Sequence, residues 1–320
     1  MKILLTGGSG FIGGHLARAL FEAGHELFNF DHTEATAFPG TDVRGDVRDA
    51  SALKRAVAGM DLVIHLAAEH ADDVVPESRY AETNVTGARH LVEALETAAV
   101  TRVLLFSSAS VYGHGSTIES GPNVEPRTPY GQSKLSAERL LRDWFERSPT
   151  DRALRILRPC VVYGPGHHGN MRRLIDAVDR KRLVLVGSGR NTKSICYVGN
   201  LVAATLFDLA VQPGLRIHNV ADLPNLDMDA LTRLIRTRLH HDPDAIWRVP
   251  KLVALGIGSA CDLLARTGGL RFELSAARVQ KFCANTSLSA ETLFDAGFRA
   301  PYDHAEGLRA TLAARGRTHR

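Results

Sequence analysis

An α/β fold is predicted: a doubly wound parallel sheet with a smaller, mostly helical C-terminal domain. Three observations point to it. Short apolar runs alternate with helix-patterned segments through the first half. A glycine-rich turn joins the first strand to the first helix, and an aspartate closes the second strand.

Each element follows from local pattern. Lys2–Thr6 reads as a buried strand, and Phe11–Ala23 has helical periodicity stopped by Gly24. His25–Asp31 is the second strand, Ala50–Ala58 a helix, Asp61–Ala67 a strand and Arg79–Ala98 a long helix. Arg102–Ser107 follows as a strand; Gly113–Pro126, rich in Gly, Pro and Ser, reads as a loop before a helix at Pro129–Arg147. Leu154–Leu157 is a strand ending at Arg158-Pro159. Beyond about residue 165 the rhythm loosens. Helices are expected at Met171–Arg180, Val198–Ala210 and Met228–Leu239, and strands at Leu183–Val186 and Arg216–Val220. Pro250 to Pro301 is helical but poorly patterned, and Arg315–Arg320 reads as a frayed basic tail.

Composition removes several function classes. The 320 residues allow about two domains. Hydrophobic residues at 44% and charged residues at 23% exclude wholesale disorder. Lys+Arg at 39 against Asp+Glu at 35 leaves +4, spread without a basic run, and aromatics are only 6%, so no nucleic-acid partner is expected. Cys160, Cys196, Cys261 and Cys283 lie far apart without a C-x-x-C pair, which suits a reducing compartment. No metal is expected, because His167-His168 lacks a third ligand at sensible spacing. No run approaches the ~18 apolar residues of a membrane span. The longest candidate, Leu252 to Ala265, is broken by Gly256, Gly258, Ser259 and Asp262. The N-terminal apolar run is too short for a signal peptide, so the cytoplasm is the expected location.

Thr6-Gly7-Gly8-Ser9-Gly10-Phe11-Ile12-Gly13-Gly14 sits between that first strand and first helix. A tight turn needs a glycine, a pyrophosphate needs bare backbone, and the helix N-terminus offers unpaired N–H groups. Asp31 stands roughly 20 residues on, where a carboxylate binds both ribose hydroxyls of NAD. His32-Thr33-Glu34 follows, with no Lys or Arg for a 2′-phosphate, so NAD is the expected cofactor. This is a Rossmann-type domain. It is assigned residues 1–165, and residues 166–320 the substrate region, with a segment near 192–220 returning to the core.

Tyr130-Gly131-Gln132-Ser133-Lys134 is Y-x-x-x-K on a predicted helix, so phenol and ammonium share one face. A neighbouring cation favours phenolate and makes Tyr130 a candidate acid/base for an alcohol. The serines at Ser107, Ser108 and Ser110 lie at the C-terminal end of a strand, where such sheets place ligands.

The T-G-x-x-G-x-x-G spacing, with these later motifs, resembles the extended short-chain dehydrogenase/reductase family, of the NAD-dependent sugar-nucleotide epimerase/dehydratase type. The likeness runs from residue 1 to about 210. It implies cofactor contacts from Gly7, Gly10, Phe11, Ile12, Gly13, Asp31 and His32, from Asp46-Val47 at the adenine ring, and from Leu66-Ala67-Ala68 along the cofactor. Asn84, Tyr130, Lys134 and Cys160 complete that set, Cys160 beside the nicotinamide position and without anything to activate its thiol.

Phe106 to Gly113 resembles the family's S-S-x-x-V-Y-G, which makes Ser108 the hydroxyl on the reacting oxygen and Ser110 a substrate contact; Ser107 reads as a satisfied strand-end serine. Relatives that remove water carry an Asp-Glu pair where this chain has Ala109-Ser110, which argues against a 4,6-dehydratase. Val161 stands where many members have a substrate-binding asparagine; Asn170 is expected to supply that amide, and Lys193 to replace a diphosphate-gripping arginine. Arg172-Arg173 reads as a solvated helix face and Trp144 as core or interface.

The resemblance therefore implies epimerisation at C4 of a UDP-hexose or UDP-N-acetylhexosamine through a 4-keto intermediate, with Tyr130, Lys134 and Ser108 catalytic. The alternatives are a 4-keto-sugar reductase or hydroxysteroid-like dehydrogenase, and a non-catalytic NAD-binding sensor, which would not need all three residues. A homodimer is expected through the helices at Arg79–Ala98 and Pro129–Arg147.

Overall fold

A computed structural model describes residues 1–71, 74–113, 115–118, 123–209, 213–268 and 275–315. Seven parallel strands form the central sheet: β1 (Lys2–Thr6), β2 (Glu26–Asp31), β3 (Thr41–Arg44), β4 (Leu62–His65), β5 (Arg102–Phe106), β7 (Ala153–Pro159) and β11 (Gly214–Val220). Their order is β11-β7-β5-β4-β1-β2-β3. The order reverses at β1, the point where such sheets open a crevice for a ligand. Between them in the chain lie the short strands β6 (Gly115–Ile118), β8 (Val161–Tyr163), β9 (Val184–Val186) and β10 (Ile195–Tyr197), with β12 (Trp247–Val249) and β13 (Thr286–Leu288) further on. These pair as β10-β8, β12-β9 and β13-β6.

Helices cover both faces of the sheet. The first half contributes α1 (Phe11–Glu22), α2 (Ala50–Val57), α3 (Ser78–Tyr80), α4 (Gly87–Ala98) and α5 (Pro129–Glu146). The second contributes α6 (Asn170–Asp179), α7 (Val198–Leu209), α8 (Met228–Arg238), α9 (Lys251–Gly268), α10 (Ala276–Cys283), α11 (Glu291–Asp295) and α12 (His304–Arg315). One core, with Leu16, Leu20 and Leu201, lies under α1 and α7; the other, with Leu53, Leu91 and Leu141, lies under α2, α4 and α5. Strands buried on both faces explain why β1, β4 and β5 read as continuous apolar runs. A third core, built on Tyr163, Ile175, Tyr197 and Ile235, holds the C-terminal half together.

Several elements depart from the sequence reading. The expected helix at Arg79–Ala98 is interrupted by a π-helical turn at Ala81–Thr86, a feature frequent at functional sites. The expected loop at Gly113–Pro126 contains β6, which pairs with β13 from the far end of the chain; residues 114 and 119–122 lie outside the described residues. The stretch Pro250 to Pro301 resolves into α9, α10 and α11 with β13 among them. Arg315 belongs to α12, where it pairs with Asp176 and lies 3.2 Å from Asp179; residues 316–320 lie outside the described residues. Trp144 is fully buried, and Arg172 pairs with Asp176 one turn on.

Candidate active site

The glycine turn is a cradle that side chains would fill. Gly7 has φ +77°, and a Cβ there would lie 2.6 Å from the Ala67 backbone nitrogen. A Cβ on Gly13 would lie 2.6 Å from the Gly8 carbonyl oxygen. The Gly7 N–H donates to the Phe30 carbonyl at 3.0 Å, which joins the turn to the end of β2. Gly10, the N-cap of α1, offers no side-chain acceptor, so the first amides of the helix remain for a phosphate.

Asp31 ends β2 beside this turn. Its carboxylate accepts from the Ser9 N–H at 3.1 Å and the Thr33 N–H at 2.9 Å, and His32, largely exposed, lies 3.2 Å away. At the far side Asp46 accepts from Arg48, whose terminal nitrogen is 2.6 Å away, and this pairing holds the carboxyl below its ordinary range. Val47 is buried, and its carbonyl accepts from His90 Nδ1 at 3.2 Å.

The segment after β4 is fixed twice. The Leu66 N–H donates to the Thr6 carbonyl at 2.9 Å. Further on, the amide of Asn84, buried in the π-helical turn, accepts from the Glu69 N–H at 2.8 Å and donates to the Glu69 carbonyl at 3.0 Å. The same amide donates to Ser133 Oγ at 2.8 Å, and Ser133 donates to the Tyr130 carbonyl at 2.8 Å. Asn84 thus joins the segment after β4 to the helix that carries Tyr130.

Thr128 caps α5, its hydroxyl accepting from the Gly131 N–H, with Pro129 in the first turn. Gly131 packs on the Ser108–Ser110 segment: a Cβ there would lie 2.4 Å from the Ser110 carbonyl oxygen. This approach brings Tyr130 and the serines to one place. Ser108 Oγ accepts from the Ser110 N–H at 3.1 Å and donates to Ser110 Oγ at 3.2 Å. The Tyr130 ring stands 6.1 Å from that of Tyr80.

Lys134, one turn along, is 3% exposed. Burial pushes its ammonium down to about 8, against the opposing charge of Glu138. Glu138, a further turn along the same face, is fully buried and accepts from Ser107 and from two nitrogens of Arg158, at 2.9 and 2.6 Å. Arg158 also donates to the Tyr112 hydroxyl at 2.7 Å, which donates to Asn219 Oδ1 at 2.7 Å. His65, buried at the end of β4, lies 2.7 Å from Thr6 Oγ1. Burial, then the charge of Lys134, pushes it down to about 3.

Sequence reasoning gave no role to Arg48 or Glu138, and it quoted His65, Tyr112 and Arg158 only as members of motifs; Glu138 is the third member of Y-x-x-x-K-x-x-x-E at four-residue spacing. Cys160 borders the site, and burial, reinforced by Asp222, pushes its thiol well above the ordinary range. Such a thiol is a poor nucleophile. Asn170 opens α6 and is exposed. Lys193 precedes β10, half-buried, with its backbone bridged to Thr286. Val161 is exposed at the start of β8. Among the described residues, no group of three or more His, Cys, Asp or Glu side chains could hold a metal ion.

A sequence profile of the NAD dependent epimerase/dehydratase family matches residues 3–221. The chain belongs to this family of extended short-chain dehydrogenases/reductases. The cofactor of this family member is NAD, and the cradle at Gly7 and Gly13 with Asp31 beside it fits that dinucleotide. One relative, the N-acetyl-alpha-D-glucosaminyl-diphospho-ditrans,octacis-undecaprenol 4-epimerase of Escherichia coli O157:H7, is 37% identical over 97% of this chain and 94% of its own length. Two solved structures share the fold of this epimerase-family chain at 24% identity. MoeE5 in complex with UDP-glucuronic acid and NAD has a TM-score of 0.79 over 99% of this chain and 100% of that one. The UDP-glucose 4-epimerase of Thermus thermophilus, in complex with NAD, has a TM-score of 0.76 over 99% of each chain.

Proposed function

We propose that the protein is an NAD-dependent 4-epimerase of a hexose or N-acetylhexosamine carried on a diphosphate, with polyprenyl diphosphate as the carrier. The supporting observation is the 37% identity to an undecaprenyl-diphosphosugar 4-epimerase along 97% of the chain. That likeness includes the C-terminal part, residues 166–320, to which we assign substrate binding. Asn170 and Lys193 are assigned to the substrate, Lys193 as a point charge on the diphosphate.

The catalytic assignment follows from the juxtaposition on α5. Bound NAD supplies the acceptor and donor of the hydride at C4. Gly7, Gly10, Phe11, Ile12 and Gly13 would hold its pyrophosphate, Asp31 and His32 its adenine ribose, and Asp46 and Val47 its adenine. Leu66, Ala67, Ala68, Asn84 and Cys160 would flank the rest. Tyr130 takes the proton of the C4 hydroxyl and returns it after the keto sugar has turned over in the pocket. Lys134 keeps a positive charge beside the phenol at neutral pH and so favours phenolate. Ser108 donates to the reacting oxygen. Ala109-Ser110 offers no carboxylate for elimination, so the keto sugar has no route but back.

The test is turnover of N-acetylglucosaminyl diphosphate on a short prenyl chain. Its C4 epimer should form with no net change in nicotinamide absorbance, and substrate deuterated at C4 should keep its label. Steady accumulation of NADH, or label lost to free cofactor, would establish a dehydrogenase instead. A UDP-linked substrate is the second reading, favoured by the 34% identity of a Neisseria meningitidis UDP-glucose 4-epimerase over 46% of this chain. Turnover of UDP-N-acetylglucosamine and not of the prenyl compound would select it.

A further inference from the structure

The apolar stretch beginning at Leu252 has no part in the site above, yet it forms α9 and leaves one face uncovered. Leu252 is 83% exposed, Ile257 49% and Leu264 51%. With exposed Gly256 and Ala260 they recur four and five residues apart, forming one stripe of a helix, and exposed Val253 widens it. The opposite face is committed. Ala254 is buried, and a Cβ on Gly258 would lie 2.7 Å from the Ala276 nitrogen, so α9 packs backbone-close on α10. Asp262, the single acidic residue of α9, accepts from the Ala276 N–H at 3.0 Å rather than facing the stripe.

The neighbouring strands extend the surface. Trp247 is 77% exposed and is the register partner of exposed Val184. Lys181 and Arg182 precede β9, Arg190 follows it and Lys251 opens α9, all exposed. A broad apolar face rimmed by Lys and Arg, with the one carboxylate of α9 turned inward, complements an anionic lipid surface. No helix among the described residues is long and apolar enough to cross a membrane.

This face is tied to the proposed substrate site. The Asn191 amide donates to the Phe282 carbonyl of α10 at 2.8 Å, the Thr192 N–H donates to Asn285 Oδ1 at 2.9 Å, and Lys193 is bridged to Thr286. The segment bearing Lys193 is therefore stitched to the end of α10 and to β13, and α9 packs on α10. A diphosphate held by Lys193 would lie one helix layer from the apolar stripe.

We propose that α9, with Trp247 and Val184, lies in the interface of an anionic phospholipid bilayer, so that a polyprenyl-diphosphosugar enters the site without its chain leaving the membrane. The proposal rests on the polyprenyl-diphosphate reading of the substrate. The test is sedimentation of the full-length protein with vesicles of phosphatidylethanolamine and phosphatidylglycerol. The wild type should pellet with them, less so at high salt because the cationic rim is screened. Leu252→Glu/Ile257→Glu should lower partitioning by at least about tenfold, since it removes two apolar side chains from the buried face and adds two charges that anionic lipid repels.

Turnover separates this proposal from the substrate reading. The double variant should act on the short-prenyl substrate in solution as the wild type does, while losing turnover of the full polyprenyl substrate embedded in vesicles. A wild type that stays in the supernatant, or a variant that pellets equally well, overturns the docking face even if both substrates react. Vesicle binding lost in the variant, with no prenyl substrate turned over by either protein, supports the docking face and overturns the polyprenyl reading. If a second copy of the chain covers the stripe instead, light scattering will show the variant dissociating while the wild type ignores vesicles, and the proposal fails.

Discussion

At the scale of single residues, the site depends on charges placed where water is scarce. Tyr130→Phe keeps the ring and removes the proton carrier. Turnover should fall by at least ~10²-fold, with NAD affinity, read by titration calorimetry, nearly unchanged. Wild-type turnover in the variant would contradict the assignment. His65 offers a test of pH dependence. Its folded pKa, pushed down to about 3, lies below the ordinary 6.5. As pH falls through 6.5 the unfolded chain therefore binds a proton that the folded one refuses, and stability drops. Between pH 7 and 5 the loss from this group is ~2 kcal/mol. His65→Asn should lose that much less than wild type over the same interval in urea unfolding; equal losses would contradict it. Tyr130, Lys134 and Asp31 are singled out in sequence by the glycine turn, the Y-x-x-x-K spacing and the serine cluster taken together. Arg158 is not, since its pairing with Glu138 requires β7 to lie under α5, which no local pattern states.

Among the elements, those with a strong period were readable and most of the short ones were not. β1 and β5 emerged within a residue or so of their limits, because burial on both faces demands continuous apolar runs. β8, β10, β12 and β13 have three residues each, too few for any period to register; β9, equally short, was readable from its apolar run Leu183–Val186. α9 read poorly for a different reason: its outward face is as apolar as its inward one, so the contrast that marks an ordinary surface helix is missing. The π-helical turn left no compositional trace, yet it carries the amide that links two elements around the cleft. Asn84→Ala removes the hydrogen bonds to Glu69 and Ser133, a loss of about 1–3 kcal/mol in a buried setting. The variant should melt earlier and release NAD faster in stopped-flow displacement. An unchanged release rate would mean that the segment after β4 is held without it.

For the molecule as a whole, the doubly wound parallel sheet follows from a sequence that alternates strands and helices, and the structure adds its order, with the switch at β1. The C-terminal half was less legible, because its core joins residues as distant as Tyr163 and Leu308. The hydrogen bonds below Tyr130 have a mechanical meaning. From Glu138 on α5 they pass to Arg158 on β7, to Tyr112, to Asn219 on β11 and on to the Ser289 carbonyl at 2.9 Å, in the C-terminal half. A protein braced in this way cannot close like a jaw without breaking buried polar contacts, so the inversion at C4 must come from a sugar swivelling inside a stationary chamber. Small-angle scattering with and without cofactor and substrate should give superimposable profiles, and a contraction of the radius of gyration on binding would show that the brace yields.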